Sequence, residues 1–408
     1  MQDISHNSST DPSIPVNQHF DVVVVGGGMI GAATAIGLGQ LGLSVAVIDT
    51  NKPSAFDDKQ PLDVRISALS VASANLLGRL GVMEQLLSMR HVAYTGLETW
   101  ELDGFITQFS AEQISQDKLG YFFENRLIQL ALWQQIDHIN NVDIICPASV
   151  ASITRDTQQS LTIKLSDDTE LSTSLLVGAD GANSQVRQWA NIGVTGWDYG
   201  QWAMLINISL EEPIPAVTWQ QFTPSGPRSL LPLPNNHASL VWYDSPSRIK
   251  QLMQLSSSQL AEQIKQHFPS RLPNNFTVVD KGSFPLTRRH AQQYYVDNVV
   301  IVGDAAHTIN PLAGQGVNIG FKDVDVLVAS VAKAIGDNQL WYGTSVLKQY
   351  QCKRYYDNQL MMTAMDAFYA GFSNDILPLK ILRNGALKLA NIDSGLKRKV
   401  LKYAIGID

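Results

Sequence analysis

Residues Phe20–Asp49 read FDVVVVGGGMIGAATAIGLGQLGLSVAVID. The β-branched run Phe20–Val25 has the texture of a buried strand. It ends in Gly26-Gly27-Gly28-Met29-Ile30-Gly31, a G-x-G-x-x-G pattern, and an alanine-rich stretch then predicts a helix to about Gly42. A second strand, Ser44–Ile48, leads to Asp49. In such a βαβ unit the first glycine makes the tight turn and the second lets backbone approach a pyrophosphate. The third lets helix pack on sheet. Asp49 lies 21 residues past Gly28, where an acid binds the ribose hydroxyls of an adenosine. Strand, glycines, helix, strand and acid in that order predict a dinucleotide site. NAD and FAD share the fingerprint, so this stretch alone leaves the choice open.

Two later stretches have the same strand-then-turn form. Leu175–Val177 runs into Gly178-Ala179-Asp180-Gly181-Ala182-Asn183-Ser184 and Arg187. Val299–Val302 runs into Gly303-Asp304-Ala305-Ala306-His307, then Pro311-x-x-Gly314-x-Gly316-Val317-Asn318. Glycine has no Cβ to hold a ligand off the backbone, and the N–H groups of a following helix start can receive anionic atoms. Asp304 sits at the carboxyl end of a strand, the edge at which open α/β sheets bind ligands.

Between these motifs, Asn51–Gln60 is a polar loop leading to Asp63-Val64-Arg65, and Ser67–Leu80 has apolar residues at helical spacing. Arg65 suits a phosphate or carboxylate, or is a surface arginine. Glu124–Asp137 reads as an amphipathic helix with Arg126 in its first turn, where a cation opposes the helix dipole. A bound pyrophosphate would account for it, and so would an ion pair with Glu124. Leu97–Phe109 and Ala148–Leu171 look strand-rich.

The texture changes over Gly200–Leu240, where strand-like pieces (Trp202–Leu210, Thr218–Phe222, Ser229–Leu233, Ala238–Tyr243) are spaced by Pro and Gly. That spacing predicts a mostly antiparallel second sheet. Trp219, Phe222 and Trp242 are candidates for an apolar ring-binding pocket, although strand aromatics usually belong to a core. Pro246–Phe268 and Leu340–Gly371 read as helical, and Ile376–Ile405 mixes apolar with basic residues. Such a tail suits an anionic membrane surface or a solvated helix face that closes the fold.

Bulk properties exclude several classes. The 408 residues suffice for two or three domains and a large core. A net charge of −7 lacks the basic footprint of a nucleic-acid binder. The two cysteines, Cys146 and Cys352, are far apart and form no metal-binding pattern. No apolar run is long enough to span a membrane, and the polar stretch 1–19 reads as a disordered tail. A cytoplasmic protein is expected.

The three turns in this order resemble the flavoprotein aromatic hydroxylases of the p-hydroxybenzoate hydroxylase type, over residues 20–325. The rest resembles the ubiquinone-biosynthesis hydroxylases among them: DVRISALS (63–70), WQQFTPSGPR (219–228), LVWYDSP (240–246), FPLTRRHA (284–291) and FYAGFSN…LPL (368–379). The resemblance implies an α/β fold: a Rossmann-like FAD-binding domain, an inserted mostly antiparallel substrate domain and a C-terminal helical region. The expected boundaries are 20–75, 96–190 and 280–340 for the FAD-binding domain, 76–95 and 191–279 for the substrate domain, and 341–408 for the helical region. It implies FAD held by Gly26, Gly28, Gly31, Asp49, Arg65, Arg126, Asp180, Asp304, Gly314, Gly316, Val317 and Asn318. The Pro311 carbonyl would face flavin and substrate, His307 would order its loop, and no acid or base is assignable. NAD(P)H and O2 would be co-substrates, acting through a C4a-hydroperoxyflavin on a polyprenylated methoxy-benzoquinol. A membrane surface or a ubiquinone-biosynthesis complex, and an oligomer, are expected partners, with peripheral attachment at the inner membrane. Another ring position, a small phenol, or a non-catalytic prenyl-lipid carrier on an FAD fold are the alternatives.

Overall fold

The computed structural model describes residues 18–102, 104–156, 160–309 and 316–372, and beyond these 395, 398, 401, 402 and 406. Pro311, Gly314, residues 1–17 and most of the basic tail lie outside the described residues.

The first strand spans Gln18–Val25, beginning inside the expected tail, and its last four residues are fully or almost fully buried valines. It lies centrally in an eight-stranded sheet. Its neighbours are Val45–Ile48 and Glu170–Gly178, both parallel, with Val142–Ile145 and Val299–Ile301 parallel beyond them. The helix Met29–Gly39 covers one face; it is buried along nearly its whole length because Ala and Gly let it settle closely. The helices Asn125–Ile136, Gly316–Gly336 and Thr344–Phe372 complete that layer.

The second sheet, also eight-stranded, is antiparallel except where Val217–Gln221 runs parallel to Gly96–Trp100. Its longest strands, Val194–Leu210 and Phe276–Ala291, pair along most of their length. The expected helix over Pro246–Phe268 is two helices, Pro246–Gln254 and Ser257–His267, because Ser256 and Gln259 form a capping box that starts the second.

Three expectations are corrected. Residues 67–70 are strand, not helix: Ile66–Ser70 pairs with Gly120–Glu124, and the helix begins at Val71 where the Ser70 hydroxyl caps the Ser73 N–H. Leu76, Leu77, Leu80 and Leu86 join the core of the first sheet, not the second, since their helical spacing gives them one apolar face. Conversely, the strands Gly96–Trp100 and Thr107–Ser110 extend the second sheet.

Candidate functional site

Register brings the three turns together. Val25 pairs with Gly178, and Gly178 with Ile301, so the carboxyl ends of three adjacent parallel strands are level. The backbone ladder continues into the turns: Ala179 N–H donates to Val25 O (2.8 Å) and Val302 N–H to Gly178 O (3.0 Å). Motifs some 150 residues apart in sequence thereby share one edge.

Each glycine of the first turn meets a different demand. Gly26 has φ +101°, and a Cβ there would stand 2.5 Å from Ala179 O. A Cβ on Gly31 would lie 1.8 Å from Gly26 O. Gly28 is the opposite case, with no atom of the described residues within 4 Å of its Cβ position, at the N-terminus of the Met29–Gly39 helix. That opening is a cradle for an anionic group at a helix start. Asp49 Oδ2 accepts the Gly27 N–H (2.6 Å) and Oδ1 the Asn51 N–H (2.9 Å), so this acid also fixes the turn.

Sequence reasoning missed two residues here. Gln129 Nε2 and Trp133 Nε1 both donate to Gly27 O, at 2.9 and 2.6 Å. They follow Arg126 at i+3 and i+7, one helix face, and that spacing was the available signal. Arg126 Nη1 donates to the carbonyl and hydroxyl of Ser54. Glu124 is not its partner: its buried carboxylate is held by Arg90 (2.9 Å) and accepts the Asp63 N–H (2.8 Å). Arg90 Nη1 also donates to Gln60 O, so this pair pins the 51–65 loop.

At the second turn, Asp180 Oδ2 accepts the N–H groups of Gln185 (2.6 Å) and Val186 (3.2 Å), while its buried Oδ1 has no hydrogen-bond partner among the described residues. Arg187, buried, joins this turn to the third: Nη2 donates to Ala182 O and Nη1 to Ala305 O.

At the third turn, Gly303 has φ +59°, a left-handed conformation, and Asp304 follows in a short 3-10 turn. Asp304 is accessible, yet the protein crowded about it raises its pKa, against the pull of His307 and Arg65. The Arg65 guanidinium is 6.0 Å above the Phe284 ring and has no hydrogen-bond partner among the described residues. Asn318 is a buried stitch. Its Oδ1 accepts from Ser70 N and Ser73 Oγ, and its Nδ2 donates to Ala68 O (2.7 Å). These bonds occupy the side chain and hold the start of the Gly316–Gly336 helix against the strand Ile66–Ser70 and the helix turn that follows it. A Cβ on Gly316 would meet no atom of the described residues within 4 Å.

The aromatic candidates lie elsewhere. Trp242 and Trp219 pack beside Phe268 beneath the helices Pro246–Gln254 and Ser257–His267, in the second sheet's far core. Phe222 is buried at the end of its strand, its N–H bonded to Trp100 O. Side chains alternate along a strand, so Val241 and Tyr243, the neighbours of Trp242, take the opposite face of the sheet from it. Val241, Tyr243, Leu286 and Phe284 form that apolar face.

Open glycine cradles, an orphaned carboxylate oxygen and an unpartnered guanidinium along one edge fit an extended dinucleotide such as FAD. Among the described residues no helix is long and apolar enough to cross a membrane, and no His, Cys, Asp or Glu cluster could hold a metal ion.

Comparison with known proteins agrees with this geometry. The FAD binding domain family model matches residues 19–363. The chain is 48% identical to 3-demethoxyubiquinol 3-hydroxylase of Escherichia coli strain K12, covering 96% of this chain and all of that one. It is 30% identical to the human mitochondrial ubiquinone biosynthesis monooxygenase COQ6, over 94% of this chain and 92% of that one. The crystal structure of p-nitrophenol 4-monooxygenase from Pseudomonas putida DLL-E4 has the same fold, with a TM-score of 0.78 at 19% identity over 96% and 99% of the two chains. The chain therefore belongs to the FAD binding domain family and, within it, to the ubiquinone-biosynthesis hydroxylases.

Proposed function

We propose that this chain adds a hydroxyl group to the ring of a polyprenylated methoxy-benzoquinol, the demethoxyubiquinol step of ubiquinone assembly, using FAD, NAD(P)H and O2. The observation that carries the reading is the level alignment of three turns at one sheet edge, with Arg65 standing over Phe284 of the second sheet's apolar face and acting on Asp304. FAD supplies what side chains lack, a hydride acceptor and a means of activating O2.

The chain's own residues bind, orient and exclude water. Gly26, Gly28 and Gly31 shape the turn at which backbone and helix N-terminus receive the pyrophosphate. Asp49 would serve the adenosine ribose, and Arg126 and Arg65 would contact the cofactor. Asp304 would offer an acceptor to the ribityl or pyrophosphate region, Asp180 would lie near both FAD and the nicotinamide, and the Gly316-Val317-Asn318 backbone would meet the flavin edge. Pro311 and Gly314, by resemblance, complete that loop. The apolar face bearing Tyr243, Leu286 and Phe284 keeps water from the reacting centre and turns the electron-rich ring toward it. No described residue presents itself as the base for the phenolic proton.

A prenylated quinol is nearly insoluble in water, which favours a membrane surface or a lipid-presenting partner for its delivery. Residues 20–75, 96–190 and 280–340 serve the cofactor in this reading, apart from the two strands at 96–110 that extend the substrate sheet.

The test is incorporation of 18O2 by the purified FAD-loaded protein supplied with NAD(P)H and a short-tailed methoxy-benzoquinol. One labelled oxygen in the ring, lost in Asp304→Ala, is expected. NAD(P)H oxidation yielding only hydrogen peroxide with every such quinol overturns the reading. In cells lacking the gene, accumulation of an earlier prenylphenol would move the ring position instead.

A further inference from the structure

The Thr344–Phe372 helix is tied at two points to the two halves of the molecule. Near its middle, Arg354 Nε donates to buried Asp323 Oδ1 (2.8 Å) under the Gly303 turn. Twelve residues on, about 18 Å along an α-helix, Asp366 pairs with Arg288 of the second sheet (2.9 Å) and accepts from the Tyr199 hydroxyl.

Between these anchors stand three methionines with distinct neighbours. Met361 and Met362 are buried against Ile309 and Ile319, which flank residues 310–315. Met365, half-buried, touches that group and also the apolar face of Tyr243, Leu286 and Phe284. It is the side chain at which the two groups meet. Across the same space, Arg65 stands over Phe284 and acts electrostatically on Asp304. The methionine face therefore borders the region between the Asp304 turn and the second sheet.

We propose that Met365, backed by the buried Met361 and Met362, forms the wall that receives the first isoprenoid unit of the substrate's tail. The inference rests on the quinol reading above. A charged or hydroxylic ligand would find no partner on this wall, whereas a branched hydrocarbon chain would. Methionine is unbranched, polarisable and has three rotatable bonds, so it conforms to an irregular alkenyl chain better than a β-branched residue. The ion pairs at either end hold the wall at a fixed distance from both the turn and the sheet, which lets a flexible surface still define a position.

The test compares a tail-less methoxy-benzoquinol with its one-isoprene homologue, in equilibrium binding to the purified protein followed by tryptophan fluorescence, and in kcat/KM. Met365→Asn and Met365→Phe are both used, since the first places an amide on the wall and the second narrows it. Each is expected to lower the preference for the tailed homologue about tenfold, in Kd ratio and in kcat/KM ratio alike. Preference within twofold of the parent in either folded variant overturns the methionine wall while leaving the ring chemistry intact. If the parent protein hydroxylates neither quinol, the functional reading falls and the wall falls with it.

Discussion

Asp323 Oδ2 lies 2.5 Å from His307 Nε2, with both side chains almost wholly buried. The same oxygen accepts the Gly303 N–H (3.0 Å) and the other carboxylate oxygen accepts from Arg354. One carboxylate thus fixes a left-handed glycine, a histidine and a helix at the turn that presents Asp304. Burial alone would raise its pKa, but His307 and Arg354 hold it down to about 2.

Asp323→Asn keeps the shape and removes the charge. One acceptor becomes a donor among donors, and Arg354 is left buried without its main counter-charge. Breaking such a pair on one side costs about 3–5 kcal/mol, so chemical denaturation should show a loss of that order. A loss below about 1 kcal/mol would mean that the network is not an anchor. The pH behaviour has a definite sign. With a folded-state pKa below the unfolded value, Asp323 stabilises the protein above about pH 4 and loses that contribution as pH falls toward 2.

His290 gives a second pH signature at milder acidity. Asn358 Nδ2 donates to the Tyr294 oxygen (3.0 Å), so the Tyr294 hydroxyl is free to donate to His290 Nε2 (2.8 Å). His290 is then a neutral acceptor at Nε2, and burial pushes its pKa down to about 4, with His307 and Arg288 adding to the fall. The unfolded chain takes up a proton near pH 6.5 and the folded one does not, so stability drops as pH falls from 6.5 toward 4. Linkage puts the loss between pH 7 and 5 at about 2 kcal/mol. In His290→Gln that slope should flatten; an unchanged slope assigns the acid sensitivity elsewhere.

The parallel sheet and its three turns were legible because β-branched runs and glycine spacing are local signals. Ala238–Tyr243 falls one residue short of its strand at each end, whereas Trp202–Leu210 is only the second half of the strand Val194–Leu210. Which face each side chain takes was not legible, because parity depends on what lies above and below the sheet. Trp242 and Tyr243 are neighbours in sequence and belong to opposite cores. The strand Ile66–Ser70 was hidden for a related reason: its partner, Gly120–Glu124, lies some 50 residues away, and its composition also suits a helix. Arg90 and Asp323 carried no motif; only tertiary pairing shows them.

The second and third glycines of the first motif, Gly28 and Gly31, should part company on substitution. Gly31→Ala drives a methyl into Gly26 O, and the helix must shift, at a cost of order 1–3 kcal/mol or more. Gly28→Ala meets no atom of the described residues and should leave the melting temperature of the FAD-free protein within a degree or two. Its FAD affinity should nevertheless fall about tenfold or more, read by flavin fluorescence, because the methyl occupies the cradle. Undiminished affinity in Gly28→Ala would remove the pyrophosphate from this turn.

Strand parity yields a paired test of where the substrate lies. Trp242 is 1% exposed, rests on Phe268 and stacks with the Arg228 guanidinium 4.7 Å away. Its replacement by Ala empties a large core volume and should cost about 3–5 kcal/mol, with the KM for quinol little altered at a temperature where the variant remains folded. Phe284 is only half-buried, on the face toward Asp304 with Arg65 above it. Phe284→Ala should cost less stability and raise the KM for quinol about tenfold, since that ring helps to close the apolar side of the cleft. Thermal denaturation and steady-state kinetics on both variants decide the matter. If Trp242→Ala moves KM and Phe284→Ala does not, the substrate lies on the helix-covered face of the second sheet, and the arrangement of turns, cleft and methionine wall is wrong.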